Sequence, residues 1–332
     1  MADSVHSTKT LLVGDIGGTN ARFALAEPEG DAYFGELTLQ CADFNTPEVA
    51  IATFLEQAGA AMPDVICLAV AGPIVDGTAR LTNNPWYLAQ DSLSATFGAK
   101  NVLLINDFEA VAHSLPVVNR QFTRVIGEVP ERDLARRDFS VCVLGPGTGL
   151  GAAGLVGRDG RVVPLITEAG HVGFAPETAE QADLLAILRV RYGRVSDERL
   201  VSGMGIENIY WALGQLRSLT VPPISAAEIF QRARDGDDNL ATAAIDLFWE
   251  ILGQAAGNLV LSTGAFDGAY IAGGIAQRHA DLLFNSRFRT GFENKGRHSL
   301  LLSKVPTLLI RHPEPGLLGA SRRAQLMLEN PA

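Results

Sequence analysis

The sequence predicts an α/β protein of two domains, each a mixed sheet covered by helices, with the two around a central cleft. Three features predict it. Two similar strand–glycine-turn–strand units, VGDIGGTNARFAL and VLGPGTGLGAAGLV, open the two halves of the chain. Strand and helix signals alternate after an opening meander, the pattern of a sheet layered with helices. The chain has 332 residues, 47% of them hydrophobic and 19% charged, which is too long for one small core and fits two domains or one large α/β unit.

Thr10–Asp15 (TLLVGD) is a short apolar run and reads as a strand; the turn IGGTN and a second strand, Ala21–Ala26, follow. After the acidic turn around Glu29–Asp31, Tyr33–Gln40 is a third strand, and three strands joined by tight turns predict an antiparallel meander. Pro47–Ala60 reads as a helix and Val65–Ala71 as a buried strand. A helix over Asp91–Gly98 leads into strand Val102–Ile105 and then a short helix, Phe108–Leu115. The second half opens with strand Phe139–Leu144 and the turn GPGTGLG, after which Gly149–Val156 and Arg161–Ile166 pair about Arg158-Asp159-Gly160. Helical patterns dominate from Glu177 to Leu261, with Ser225-Ala-Ala-Glu228 a capping box. Strand Gly268–Ala272, the pair Gly273-Gly274, a helical stretch, strand Val305–Ile310 and a last helix from about Gly316 complete the order.

A net charge of −10 argues against non-specific contact with nucleic acid or an anionic membrane, though local amide clusters still bind phosphate. Cys41, Cys67 and Cys142 lack zinc-ligand spacing and do not form a disulfide framework. The start, MADSVHSTKT, lacks the apolar core of a signal peptide and reads as a short mobile tail, and no apolar run is long enough for a transmembrane helix. A cytoplasmic protein is expected.

Glycine turns let backbone amides approach an anion closely. Gly17-Gly18-Thr19 and Gly147-Thr148-Gly149 are both suited to phosphate, each with a hydroxyl residue and the first with Asp15 beside it. Taken singly, either turn is accounted for as a tight hairpin. No G-x-x-x-x-G-K-[ST] is present, and the formal G-x-G-x-x-G at Gly149, Gly151 and Gly154 runs on as strand rather than opening a helix, which excludes the dinucleotide fingerprint. Asn106-Asp107 ends a buried strand, where α/β proteins place their sites. Asp107 fits a general base and Asn106 a substrate contact, while helix capping alone also accounts for the pair. Glu168 and His171, in TEAGHVGFAP, offer the acceptors and donors that a polyol needs; a structural loop is the plainer alternative. Glu198 follows a cap at Ser196, and its local chemistry is explained by the helix dipole without any ligand.

Collected in order, LVGDIGGTNARFAL, INDFEAVA, LGPGTGLGAA, EAGHVGFAP, VSDERLVSG, IAGGIAQR and PGLLG closely resemble the bacterial hexokinase-type glucokinases of the proteobacterial group, from Leu11 to about Leu318. The resemblance implies the actin-like ATPase (ribonuclease H-like) fold, with a small domain of residues 1–116 plus 313–332 and a large one of 117–312. It implies ATP-dependent phosphorylation of glucose at the 6-hydroxyl, in a homodimer using ATP and Mg²⁺. Carried over by motif, Asp107 resembles the catalytic base, and Asn106, Glu168, His171 and Glu198 the other glucose contacts. Asp15 with Gly17, Gly18, Thr19 and Asn20 resembles the first phosphate motif, Asp15 lying near magnesium. Gly147-Thr148 resembles the second phosphate motif and Gly273-Gly274 the adenosine motif. Ala169 and Met204 depart from the family pattern, and the cysteine-rich zinc motif of the ROK kinases is missing from the sequence. The rivals are a kinase of the same fold acting on another hexose or amino sugar, polyphosphate or ADP as donor, and a non-enzymatic sugar-responsive regulator. The regulator would need a DNA-binding helix pair that the short N-terminal tail does not provide.

Overall fold

In a computed structural model, which describes residues 9–30, 32–81, 84–118, 120–135 and 138–329, the opening segments form the expected hairpin. The mobile tail read over the first residues and the Asp31 end of the acidic turn lie outside the described residues, apart from Lys9 and Thr10. The chain divides into two compact units, Met1–Asn119 with His312–Ala332, and Arg120–Arg311.

In the first unit β1 (Leu11–Ile16) pairs antiparallel with β2 (Asn20–Ala26), which pairs with β3 (Tyr33–Gln40). On its other side β1 runs parallel to β4 (Val65–Val70). Three short strands, β5 (Ile74–Val75), β6 (Thr78–Arg80) and β7 (Tyr87–Ala89), form a separate small sheet that the sequence reading missed; runs of two or three residues carry no legible period. β8 (Asn101–Asn106) then joins β4 in parallel, giving the order β3-β2-β1-β4-β8.

The helices of this unit are punctuated by their sequence. Thr46 accepts a hydrogen bond from the Val49 amide at the start of α1 (Pro47–Ala58), Pro47 fills its first turn, and Gly59 at φ 60° ends it. Gly98 at φ 68° ends α2 (Gln90–Phe97). At α3 (Asp107–Ser114) the Asn106 side chain accepts from the amides of Phe108 and Glu109, so the capping read from sequence is present. The C-terminal helix, Pro315–Glu329, packs against α3, β1 and β4.

In the second unit β9 (Thr123–Val125) is an edge strand, also missed by the sequence reading for its shortness. β10 (Phe139–Pro146) and β11 (Leu150–Arg158) form the second hairpin and β12 (Arg161–Ile166) extends it. After α4 (Ala179–Tyr192), α5 (Gly203–Leu216), α6 (Ala226–Asp235) and α7 (Asn239–Thr263), β13 (Gly268–Ile271) lies parallel to β10. Four short helices follow, α8 (Gly274–Arg278), α9 (Ala280–Phe284), α10 (Phe288–Glu293) and α11 (Ser299–Leu302), then β14 (Thr307–Ile310). The sheet order is β12-β11-β10-β13-β14-β9. Ser225 caps α6 through the Glu228 amide, as the capping box requires, and Asp238 caps α7 through those of Leu240 and Ala241.

The seating of α3, and so of Asp107 at its first position, depends on how closely the C-terminal helix approaches it. Gly319 lies directly over the α3 backbone, where a Cβ would overlap the Ala110 carbonyl oxygen. Gly319→Ala is expected to push the helices apart at a cost of about 1–3 kcal/mol. A urea transition lowered by less than about 0.5 kcal/mol, the scale of neutral surface changes, would show that this contact does not set the packing.

Candidate active site

The first unit gathers its chemistry at one sheet edge. In the parallel register Asp15 stands beside Ala69 and Ala69 beside Ile105, so Asp15 and Asn106-Asp107 end strands on the same side, with β4 between them. Burial, followed by the charge of Asp107, raises the Asp15 carboxyl to about 6, while Arg22 opposes the rise. Arg22, the cross-strand partner of Asp15, is itself bound to Glu314 at 3.1 Å. Gly316, in the first turn of the C-terminal helix, faces Asp15 so closely that a Cβ would lie 2.8 Å from its Oδ2. Asp107 Oδ1 accepts from the Phe108 amide at 2.9 Å, which fixes the carboxylate at the head of α3.

Beside Asp15 the β1–β2 turn closes on itself, the Gly17 N–H donating to the Asn20 carbonyl at 2.9 Å. Asn20 Oδ1 accepts from Gln40 at 2.7 Å. The amides of Gly18 and Thr19 donate to no acceptor among the described residues. A turn with two unengaged N–H groups beside a carboxylate can hold an anion together with a cation.

The second unit repeats the device. In the β10–β11 turn the Gly147 N–H donates to the Gly149 carbonyl at 2.8 Å, and the amides of Thr148 and Gly149 donate to no acceptor among the described residues. The turn is seated from below by Gly203, whose N–H donates to the Gly147 carbonyl at 3.0 Å. Gly273, at φ 86°, lies so close to Pro146 that a Cβ would fall 2.5 Å from its carbonyl oxygen. A Cβ on Gly274 would meet nothing within 4 Å, leaving an open face at the end of β13.

Glu168, His171 and Glu198 come together in this unit. His171 stands 3.9 Å from Glu168 through Nε2 and 3.9 Å from Glu198 through Nδ1. The Glu168 side chain is 74% exposed and can accept from a ligand, and Arg194 holds the loop by donating to the His171 carbonyl at 2.7 Å. Glu198 Oε2 accepts from the Leu150 amide at 3.0 Å, and a Cβ on Gly149 would lie 2.5 Å from the same oxygen. Glu198 therefore joins Glu168 and His171 to the glycine turn, a contact its own neighbourhood in sequence did not reveal. Arg22, Glu314 and Gly316 were also missed: Arg22 lies within LVGDIGGTNARFAL and Gly316 within PGLLG, but neither was singled out, and Glu314 carries no motif.

These arrangements can be set against known proteins. A family model for glucokinase matches residues 12–327. The chain belongs to the glucokinase family. It is 44% identical to the glucokinase of Caulobacter vibrioides over 96% of each chain. The crystal structure of a glucokinase from an Antarctic psychrotroph, 34% identical, matches with a TM-score of 0.89 over 96% of this chain and 99% of the other. A ROK family glucokinase from Streptomyces griseus, solved with glucose and AMPPNP, is 17% identical with a TM-score of 0.61, over 96% and 99% of the two chains, and shares the fold alone. The fold of this glucokinase family member is thus that of the actin-like ATPases.

Asp15 gives the site a pH signature. Folded, its carboxyl keeps a proton up to about pH 6; unfolded, it releases the proton near 3.8. Between those values the folded chain holds the extra proton, so this group makes stability fall as pH rises through the window. Asp15→Asn removes the ionisation, and the unliganded variant is expected to be more stable than the parent at pH 7 in urea. Equal stability at pH 7, with the same slope between pH 4 and 6, would show that the carboxylate is not held at this disadvantage.

Proposed function

We propose that the chain transfers the γ-phosphoryl group of ATP to the 6-hydroxyl of D-glucose. The observation that carries this reading is the pairing of Asp15 and Asp107 at one sheet edge, close enough that one carboxylate raises the other. We read the first as a cation ligand and the second as a base. The family membership and the glucokinases named above support the substrate, and the relative solved with AMPPNP supports ATP as donor.

Phosphoryl transfer passes through a loose transition state, so the protein's part is to position reactants and balance charge. Asp107 orients the 6-hydroxyl and accepts its proton, a role worth ~10²–10⁴-fold in rate. Asn106, whose oxygen is engaged by the α3 cap, turns its amide NH₂ to a sugar oxygen. Glu198 keeps Oε1 for a sugar hydroxyl while Leu150 holds Oε2, and Glu168 and His171 take the remaining hydroxyls. The amides of Gly18, Thr19 and Thr148 receive phosphate oxygens, and Gly273-Gly274 leave room for the nucleoside.

Magnesium fits this donor set. Among the described residues no cluster of three or more acidic, histidine or cysteine side chains stands ready for a metal. A hard cation that takes one or two carboxylates and otherwise phosphate and water suits such a site, and Asp15 would hold it. When bound, the ion neutralises the charge that develops on the transferring group. We further read the enzyme as a cytoplasmic homodimer, in line with its family; among the described residues no helix is long and apolar enough to cross a membrane.

The test is coupled ADP production with Mg-ATP across a panel of hexoses and amino sugars. Glucose is expected to drive turnover, and Asp107→Asn to lower kcat by ~10²–10⁴-fold with little change in KM. An Asp107→Asn enzyme of undiminished kcat would overturn the base, and turnover on another sugar alone would overturn glucose.

A further inference from the structure

Apart from the residues given roles above, the second unit holds a cavity of about 210 Å³. An engineered apolar cavity of ~150 Å³ already takes benzene. Leu144, Leu150, Val172 and Leu259 wall it, and Asn258 and Ser262, both exposed, stand at its rim on α7. Asp197 also lines it and is only 6% exposed. Its backbone is fixed: the N–H donates to the Val172 carbonyl, and its own carbonyl accepts from Leu200 and Val201.

The Asp197 carboxyl is different. Among the described residues no N–H or O–H donates to it, whereas another buried acid of this unit, Glu250, has Arg287 at 2.9 Å. The nearest influence of opposite sign is Lys295, and that ammonium is engaged by Glu177 at 2.7 Å and by the Gly291 carbonyl. Burial holds Asp197 up at about 7, so near neutrality it ionises readily for a partner that supplies positive charge. A buried carboxylate without a partner is costly, and what it lacks here is a cation.

We propose that this cavity is a binding site for a small apolar organic cation, with a primary ammonium on Asp197 and hydrocarbon against the leucine and valine walls. An ammonium brings three donors to a carboxylate that accepts none. A divalent metal would need several oxygen ligands, and an anion would meet the carboxylate with like charge. The site adjoins the polyol-type surface through the chain itself. Asp197 precedes Glu198, Val172 follows His171, and Leu150 donates to Glu198. Occupancy therefore also shifts glucose affinity; that coupling rests on the reading of Glu198 as a sugar contact, and the binding does not.

Calorimetric titration of the whole chain with benzylammonium chloride, and separately with benzyl alcohol, tests it. Benzylammonium is expected to bind at least ~10-fold tighter, the difference a charged hydrogen bond makes over a neutral one. Asp197→Asn should erase that preference while still binding the alcohol, and Ala255→Leu, which fills the cavity from α7, should abolish both. Equal affinity for the two probes, an unchanged preference in Asp197→Asn, or no binding of benzylammonium at millimolar concentration each overturns the site. Benzylammonium binding in a protein that shows no glucose turnover would instead count against the kinase reading alone.

Discussion

Two carboxylates at the end of one buried sheet cannot both ionise cheaply, and the first unit is built so that they must share that end. Parallel pairing of β1, β4 and β8 in step places Asp15 and Asp107 on the same edge, and neither strand can slip without turning its inward residues outward. Arg22 relieves the repulsion only in part, because Glu314 also holds its guanidinium. Gly316 leaves no room for a side chain that could stand between Asp15 and the C-terminal helix. The resting site is thus short of positive charge where a cation and phosphate would arrive together. That deficit stands in a protein whose net charge is −10.

Much of this was legible in the sequence, for reasons that are local. Apolar runs and glycine turns marked both hairpins, and Asn106-Asp107 announced a cap that the structure contains. What was not legible depends on distant partners. Glu198 sits in a short 3₁₀ turn whose acidic residue needs no ligand, and its meaning comes from the Leu150 amide, 48 positions away. Asp197 is adjacent to it and looked equally ordinary; only the packing of α7 and the His171 loop buries it. Gly319 carries no turn signal at all, since its task is to admit a second helix backbone.

The weak internal repeat has a firmer counterpart in topology. Reading each sheet from its meander edge gives β3-β2-β1-β4-β8 in one unit and β12-β11-β10-β13-β14 in the other, with the same parallel pairings from the third strand onward. Both hairpins close through a glycine N–H that donates to a carbonyl of the same turn, Gly17 to Asn20 three residues on and Gly147 to Gly149 two residues on. The two units resemble one another in sequence at those turns, where close backbone approach favours glycine. Along the strands any apolar side chain of suitable size serves the core, so a shared topology does not require a shared sequence there.

The two sheets also differ in what their strand ends present. The carboxyl ends of the first three parallel strands are equivalent positions in the two sheets, yet they hold different chemistry. In the first unit they end in Asp15 and Asn106-Asp107, which present carboxylates. In the second, β10 and β13 run into Gly147-Thr148 and Gly273-Gly274, which present backbone and space. The first sheet thus carries carboxylates at its strand ends, and the second carries glycine turns, one of them with amides that donate to no acceptor among the described residues. One scaffold, copied, could diverge in this way because a strand's end accepts almost any side chain while its middle does not. The resemblance to the family was carried by both glycine turns together with INDFEAVA, EAGHVGFAP, VSDERLVSG, IAGGIAQR and PGLLG.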